Sequence, residues 1–271
     1  LAFMLAQGNE YLVMLTDKGL KAEELAPYMQ FTMAIGSNYF MEIAKIRAAR
    51  LLWARIVEQY GQGLSESGKM TLHAVTSNWN KSVYDPYVNM LRTQTEAMSA
   101  TIGAVDSLTV RPFDEAFETP TAFAERIAVN QQLLLKEESH FDKITDPSSG
   151  SYYIETLTSA LAEQAWKLFL ETEEAGFYEA LKAGTVQDAI NASANARFNA
   201  VANRREILLG TNQYPNFGEA MGQKIEDTAA HCGCGSDEGQ NSPLKRLNTR
   251  RLSNAFDELR LATERSGKRP K

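Results

Sequence analysis

Three segments of alternating apolar residues, each followed by a helical pattern, constrain this chain more than any other feature. Met29 to Ile35 sets Phe31, Met33 and Ile35 two apart, and Tyr39 to Tyr60 carries Phe40, Ile43, Ala44, Leu51, Ala54 and Val57 at three- and four-residue spacing. A period of two predicts a strand and a period near 3.6 a helix. Met70 to Thr76 followed by Pro86 to Ile102, and Val105 to Val110 followed by about Thr121 to Glu138, repeat the unit. Strands joined by helical crossovers pair in parallel, so the fold class is α/β, as an open doubly wound sheet or part of a (β/α) barrel.

The rest of the chain reads differently. Residues 1 to 15 have a helical pattern with no N-cap before it, and the chain starts on Leu1, which predicts a piece of a longer protein. The turn Asp146-Pro147-Ser148-Ser149-Gly150 introduces helical segments running to about Asn203. The expected division is a strand-and-helix part over 1–145, a helical extension over 146–217 and a flexible linker over 218–271. Within that linker, Ser242 to Lys271 holds nine Lys or Arg against three Asp or Glu, leaving −12 for residues 1–241 of a chain whose net charge is −6.

That balance, 28 basic against 34 acidic residues, argues against nucleic acid as a partner, since sequence-independent binding rests on many phosphate-neutralising cations. No apolar run reaches the roughly 18 residues that a membrane span needs, so no membrane is expected. Cys232 and Cys234 lie too close together to staple a fold, which predicts a reducing, cytoplasmic setting. His231-Cys232-Gly233-Cys234 lacks the second ligand pair of a zinc module, so no metal is expected.

Candidate chemistry lies on the strands. Thr71, His73 and Val75 share one face of the second strand; a lone histidine there is more often a satisfied core residue than a ligand. Asp106 and Ser107 open the third strand, and Asp114 and Glu115 follow it in a strand-to-helix loop, where parallel sheets keep functional groups. Asp114 reads equally well as a helix-start residue. There is no Gly-rich phosphate cradle and no nucleophile elbow.

Several segments together resemble the methylmalonyl-CoA mutase family. They are Ser37 to Trp53 (SNYFMEIAKIRAARLLW), Asp85-Pro86-Tyr87 with Arg92-Thr93, Glu96 to Ala100, Asp106-Ser107-Leu108, Phe113 to Ala116, Arg126-Ile127-Ala128, Glu137-Glu138-Ser139 and Asp146 to Tyr152. The resemblance implies the C-terminal part of a coenzyme-A-binding (β/α)8 TIM barrel, followed by helical segments and a linker toward a cobalamin-binding-type domain. It implies adenosylcobalamin as cofactor of the holoenzyme, the interconversion of methylmalonyl-CoA and succinyl-CoA as its reaction, and a heterodimer with a catalytic large subunit. Further family positions would fall upstream of Leu1 and downstream of Lys271.

Residue by residue, the resemblance assigns Arg47 to the coenzyme A part of the substrate, with Ala49 standing where a hydroxyl residue occurs in catalytic chains. The family pattern Arg-x-His-x-Gln-Thr-Ser-Gly reads Thr71-Leu72-His73-Ala74-Val75-Thr76-Ser77-Asn78 here, and the family's Gln-Ser reads Asp106-Ser107. Thus Arg47, Ala49, His73, Val75, Asp106 and Ser107 are degenerate substrate-site equivalents. An acidic Asp106 is expected to face an anionic thioester unfavourably. Glu115 and Ala116 match positions on the cobalamin side of the barrel mouth. Loss of polar groups from one interior surface resembles the small, non-catalytic subunit of heterodimeric bacterial mutases, with no catalytic residue expected; the alternative is an active acyl-CoA mutase chain with an altered pocket.

Overall fold

A computed structural model of the chain describes residues 1–61, 68–222, 224–225, 244–247 and 249–267. Helices α1 (Ala2–Thr16) and α2 (Ala22–Leu25) precede strand β1 (Gln30–Ile35), and α3 (Tyr39–Val57) leads to β2 (Thr71–Thr76). Helix α4 (Val88–Ile102), β3 (Ser107–Thr109) and α5 (Ala122–Leu133) complete the repeated units. Helices α6 (Tyr152–Ala175), α7 (Phe177–Ala183) and α8 (Thr185–Ala202) follow, and α9 (Asn254–Ser266) lies near the end. The three strands form one parallel sheet in the order β1-β2-β3, with Thr32 opposite His73 and His73 opposite Ser107.

The alternation seen in the sequence sorts the two faces of this sheet. Phe31, Met33, Ile35, Leu72 and Ala74 are buried with Leu5, Leu12, Ile46, Leu52, Trp53 and Phe169 in one apolar core built by the sheet, α1, α3 and α6. Each fully buried large side chain of this kind contributes about 1.5–3 kcal/mol. Where α1 meets this core the backbone comes very close: a Cβ at Gly8 would lie 2.8 Å from the Phe31 ring and 2.9 Å from that of Trp53. On the opposite face Gln30, Thr32 and Ala34 are exposed.

Strand β3 is shorter than the Val105 to Val110 expected from alternation, because side chains take over the ladder at both of its ends. The Asp106 carboxylate accepts the Leu72 amide at 2.7 Å, and the Thr76 hydroxyl accepts the Arg111 amide at 2.8 Å. Helix α5 starts where expected, since the Thr121 hydroxyl accepts from the Ala124 amide; it ends in a π turn over Leu134–Glu138.

Within 218–271, expected as a flexible linker, part of the described residues forms a docked helix. Met221, Leu252, Ser253 and Asp257 are buried, and α9 packs on the loop that follows β2 through Ser253, whose hydroxyl donates to the Lys81 carbonyl at 2.9 Å, and through Glu264, which accepts from the Tyr84 hydroxyl at 2.7 Å. The basic count concealed an amphipathic pattern, with Leu252, Phe256 and Leu261 turned toward apolar partners. His231, Cys232 and Cys234 lie outside the described residues.

Candidate functional site

The exposed face of the sheet carries the candidate site. Gln30, Thr32 and Ala34 on β1, Thr71, His73 and Val75 on β2, and Ser107 and Thr109 on β3 all project from it, because register and alternation put them on one side. His73 stands mid-strand between two hydroxyls: Nδ1 is 2.7 Å from Ser107 Oγ and Nε2 is 3.2 Å from Thr109 Oγ1. Hydroxyls both donate and accept, so a neutral ring is served in either tautomer. A cavity of about 350 Å³ opens beside this face at the outer edge of β1, between Met4, Gly8, Tyr11, Gln30 and Thr32.

Only part of the sequence-derived set meets here. His73, Val75 and Ser107 share the face. Arg47 does not: it sits on α3, across the sheet from His73, and its guanidinium donates to Glu155 at 2.9 Å and pairs with Asp146 at 3.2 Å. The hydrogen bond from Arg47, with a second from the Gly150 amide, holds the Glu155 carboxyl below its ordinary range. Arg47 therefore fastens the 146–155 turn to α3. Ala49 is fully buried in the apolar core, where a hydroxyl would need a partner.

Asp106, like Arg47, lies off the face that carries His73. It precedes β3 on the side opposite Ser107, and its Oδ2 accepts from the Leu72 amide and from Arg50 at 2.9 Å. These contacts close the start of the β2-β3 ladder. Asp106→Ala is expected to cost about 1 kcal/mol, the scale of one net hydrogen bond, seen as a lower urea midpoint with no change in any ligand affinity.

At the C-terminal ends of the strands, Glu115 is held by Arg111 and lies 3.4 Å from Asn78 Nδ2, while the Ala116 carbonyl accepts from Arg251. Asp114 is buried and accepts from both the amide (2.9 Å) and the hydroxyl (2.7 Å) of Thr121, which makes it a loop-closing residue. Sequence reasoning missed Gln30, Thr32 and Thr109, whose polar character on alternating strand positions was the available signal. It also missed the buried ion pair of Lys81 and Glu96, 2.7 Å apart beneath the loop after β2.

A parallel strand-helix sheet with one apolar face packed against helices and one exposed face of hydroxyls, histidine and small residues defines an α/β protein, the class that gathers functional groups at the C-terminal ends of its strands. Comparison with known proteins narrows this class. The sequence profile described as methylmalonyl-CoA mutase matches residues 1–262, and the chain belongs to that family. It is 55% identical to the methylmalonyl-CoA mutase small subunit of Porphyromonas gingivalis over 100% of its own length and 43% of the relative's. It is 40% identical to the small subunit of Streptomyces virginiae, covering 98% of this chain and 42% of that one. The large subunit of Porphyromonas gingivalis matches at 40% over 79% of the chain and 30% of its own length. The chain thus spans less than half the length of the curated relatives it matches. Among the described residues no helix is long and apolar enough to cross a membrane.

Proposed function

We propose that this chain is the barrel-forming part of a methylmalonyl-CoA mutase small subunit, which supports a catalytic large subunit in a cytoplasmic heterodimer and does not itself turn over substrate. The observation that carries this reading is the end-to-end match to small subunits, at 55% identity in one case, against 40% over 79% of the chain for a large subunit. In this reading β1, β2 and β3 are consecutive strands of the latter part of a (β/α)8 barrel, and their exposed face is its lumen. The reaction assigned to the heterodimer is the adenosylcobalamin-dependent isomerisation of methylmalonyl-CoA and succinyl-CoA.

The chemistry of the open face agrees. At the two positions where the resembled pattern carries Arg and Gln, Thr71 offers one short hydroxyl and Val75 no donor, so the donors left around His73 are the neutral groups of Gln30, Thr32, Ser107 and Thr109. His73 remains, with both ring nitrogens near hydroxyls of its own chain. The residues matched to the cobalamin side do not fit that group well: the Glu115 carboxylate is engaged by Arg111, and the Ala116 carbonyl by Arg251. We therefore assign adenosylcobalamin to the large subunit and derive no step through it on this chain.

The test is an assay of the complete gene product with methylmalonyl-CoA and adenosylcobalamin, alone and with the large subunit added. Turnover only in the mixture, with co-purification of the two chains, is the expected result. Turnover by the complete chain alone would overturn the reading. Thr71→Arg combined with Val75→Gln is expected to bring measurable coenzyme A ester binding to the face around His73; no gain would place the loss of the pocket elsewhere.

A further inference from the structure

The segment from Arg251 through α9 is a strap across the loop that follows β2, and one hydroxyl proton is contested at its anchor. Ser253 Oγ lies 2.9 Å from the Lys81 carbonyl oxygen and 2.7 Å from Asp257 Oδ2, and all three groups are buried. A hydroxyl has one proton to give. If Asp257 is ionised, its carboxylate and the Lys81 carbonyl compete for that proton and one buried acceptor goes without it. With a proton on Asp257 the chain is complete: the carboxyl donates to Ser253 Oγ, and Ser253 donates to the Lys81 carbonyl.

We propose that the docked strap is a proton-dependent latch, in which closing Asp257, Ser253 and the Lys81 carbonyl into one hydrogen-bonded chain takes up a proton from solvent. The strap matters to the site because the same segment holds the Ala116 carbonyl through Arg251 and the Trp79 carbonyl through the Leu252 amide at 2.8 Å, both in loops at the C-terminal ends of the strands.

The charges around Asp257 set the pH range. Burial pushes its carboxyl up to about 6, against the opposing pulls of the Ser253 hydroxyl, Arg251, the Val83 amide and Arg260. Arg251 is 3.6 Å away in the strap itself, Arg260 lies on α9, Arg92 on α4 is electrostatically coupled to the same carboxyl, and Tyr84 faces it from the loop. Lys81 is committed to Glu96. A carboxyl whose value is raised on docking contributes most at low pH, and that contribution is lost as pH rises through about 6. Glu264, another carboxylate of the strap, works in the opposite sense. Burial raises Glu264, but the Tyr84 hydroxyl and the Gly222 and Met221 amides outweigh it and hold the group below its ordinary value, so it stays ionised throughout this range.

Hydrogen exchange of the complete small subunit in its heterodimer, corrected for the intrinsic pH dependence of exchange, tests the latch. Amides of 254–266 are expected to be about tenfold better protected near pH 5 than near pH 7.5. Asp257→Asn, whose amide can donate to Ser253 without a proton from solvent, is expected to show equal protection at both pH values and at least wild-type protection at the higher one. Wild-type protection that is flat or rises toward pH 7.5 overturns the proposal, as does an Asp257→Asn strap that is folded but less protected than wild type near pH 7.5. Where circular dichroism shows the variant to be globally unfolded, the wild-type profile alone decides.

Discussion

Lys81→Met is expected to destabilise the protein by about 3–5 kcal/mol, because it leaves the Glu96 carboxylate buried without its cation. Lys81 and Glu96 are 4% and 0% exposed, and Nζ lies 2.7 and 2.8 Å from the two carboxylate oxygens. Burial pushes the ammonium down and the carboxyl up, and each opposes that shift in the other. Asn80 donates to Glu96 Oε1 at 2.8 Å, but a neutral amide cannot replace the charge. The measurement is the urea midpoint of the complete subunit. The double variant Lys81→Met with Glu96→Leu is expected to recover most of the loss, since a buried pair exchanged for apolar groups of similar volume is often neutral. A single-variant loss below about 1 kcal/mol would show that the pair does not hold the loop after β2 in place.

Trp53→Ala is expected to cost a similar 3–5 kcal/mol through the cavity it leaves. The indole is fully buried at the point where α3, α1 and β1 meet, with its ring 4.7 Å from that of Phe31 in an edge-on arrangement. Gly8 is already at the limit of approach on the other side, so α1 closes little of the space without moving as a whole. Calorimetry or urea unfolding gives the loss. A cost below about 2 kcal/mol would mean that α1 collapses into the cavity; Gly8→Ala is expected to stay destabilising in that background, because its Cβ would still meet the Phe31 ring at 2.8 Å.

Much of the fold is legible in the sequence. Phe31, Met33 and Ile35, with Leu72 and Ala74, alternate because one sheet face is apolar, and the helices between them follow from three- and four-residue spacing; these are local patterns that survive without knowledge of contacts. The strand-helix order then required parallel pairing. The strap was not legible, since nine basic residues in thirty conceal the few apolar positions that dock, and its partners Lys81, Tyr84 and Ala116 are more than 130 residues away. Lys81 itself sits in an irregular loop with no period to mark it as buried. Glu96 gave a weaker signal: it shares the spacing of Asn89, Thr93, Ala97 and Ala100 on the buried side of α4, where a carboxylate demands a partner.

The site divides in the same way. By itself the sequence determined that His73 shares a face with Thr71 and Val75, because strand alternation is a property of the backbone. Only the tertiary structure decided which neighbouring residues join that face. Register brought Gln30, Thr32, Ser107 and Thr109 to it, while the turn of α3 carried Arg47 to Glu155 on the far side and the pull of Arg50 and the Leu72 amide set Asp106 at the ladder's start. Spacing along one element fixes orientation within it. Which charges meet across elements depends on packing and on which buried polar groups need one another, and that information is not local to any stretch of the chain.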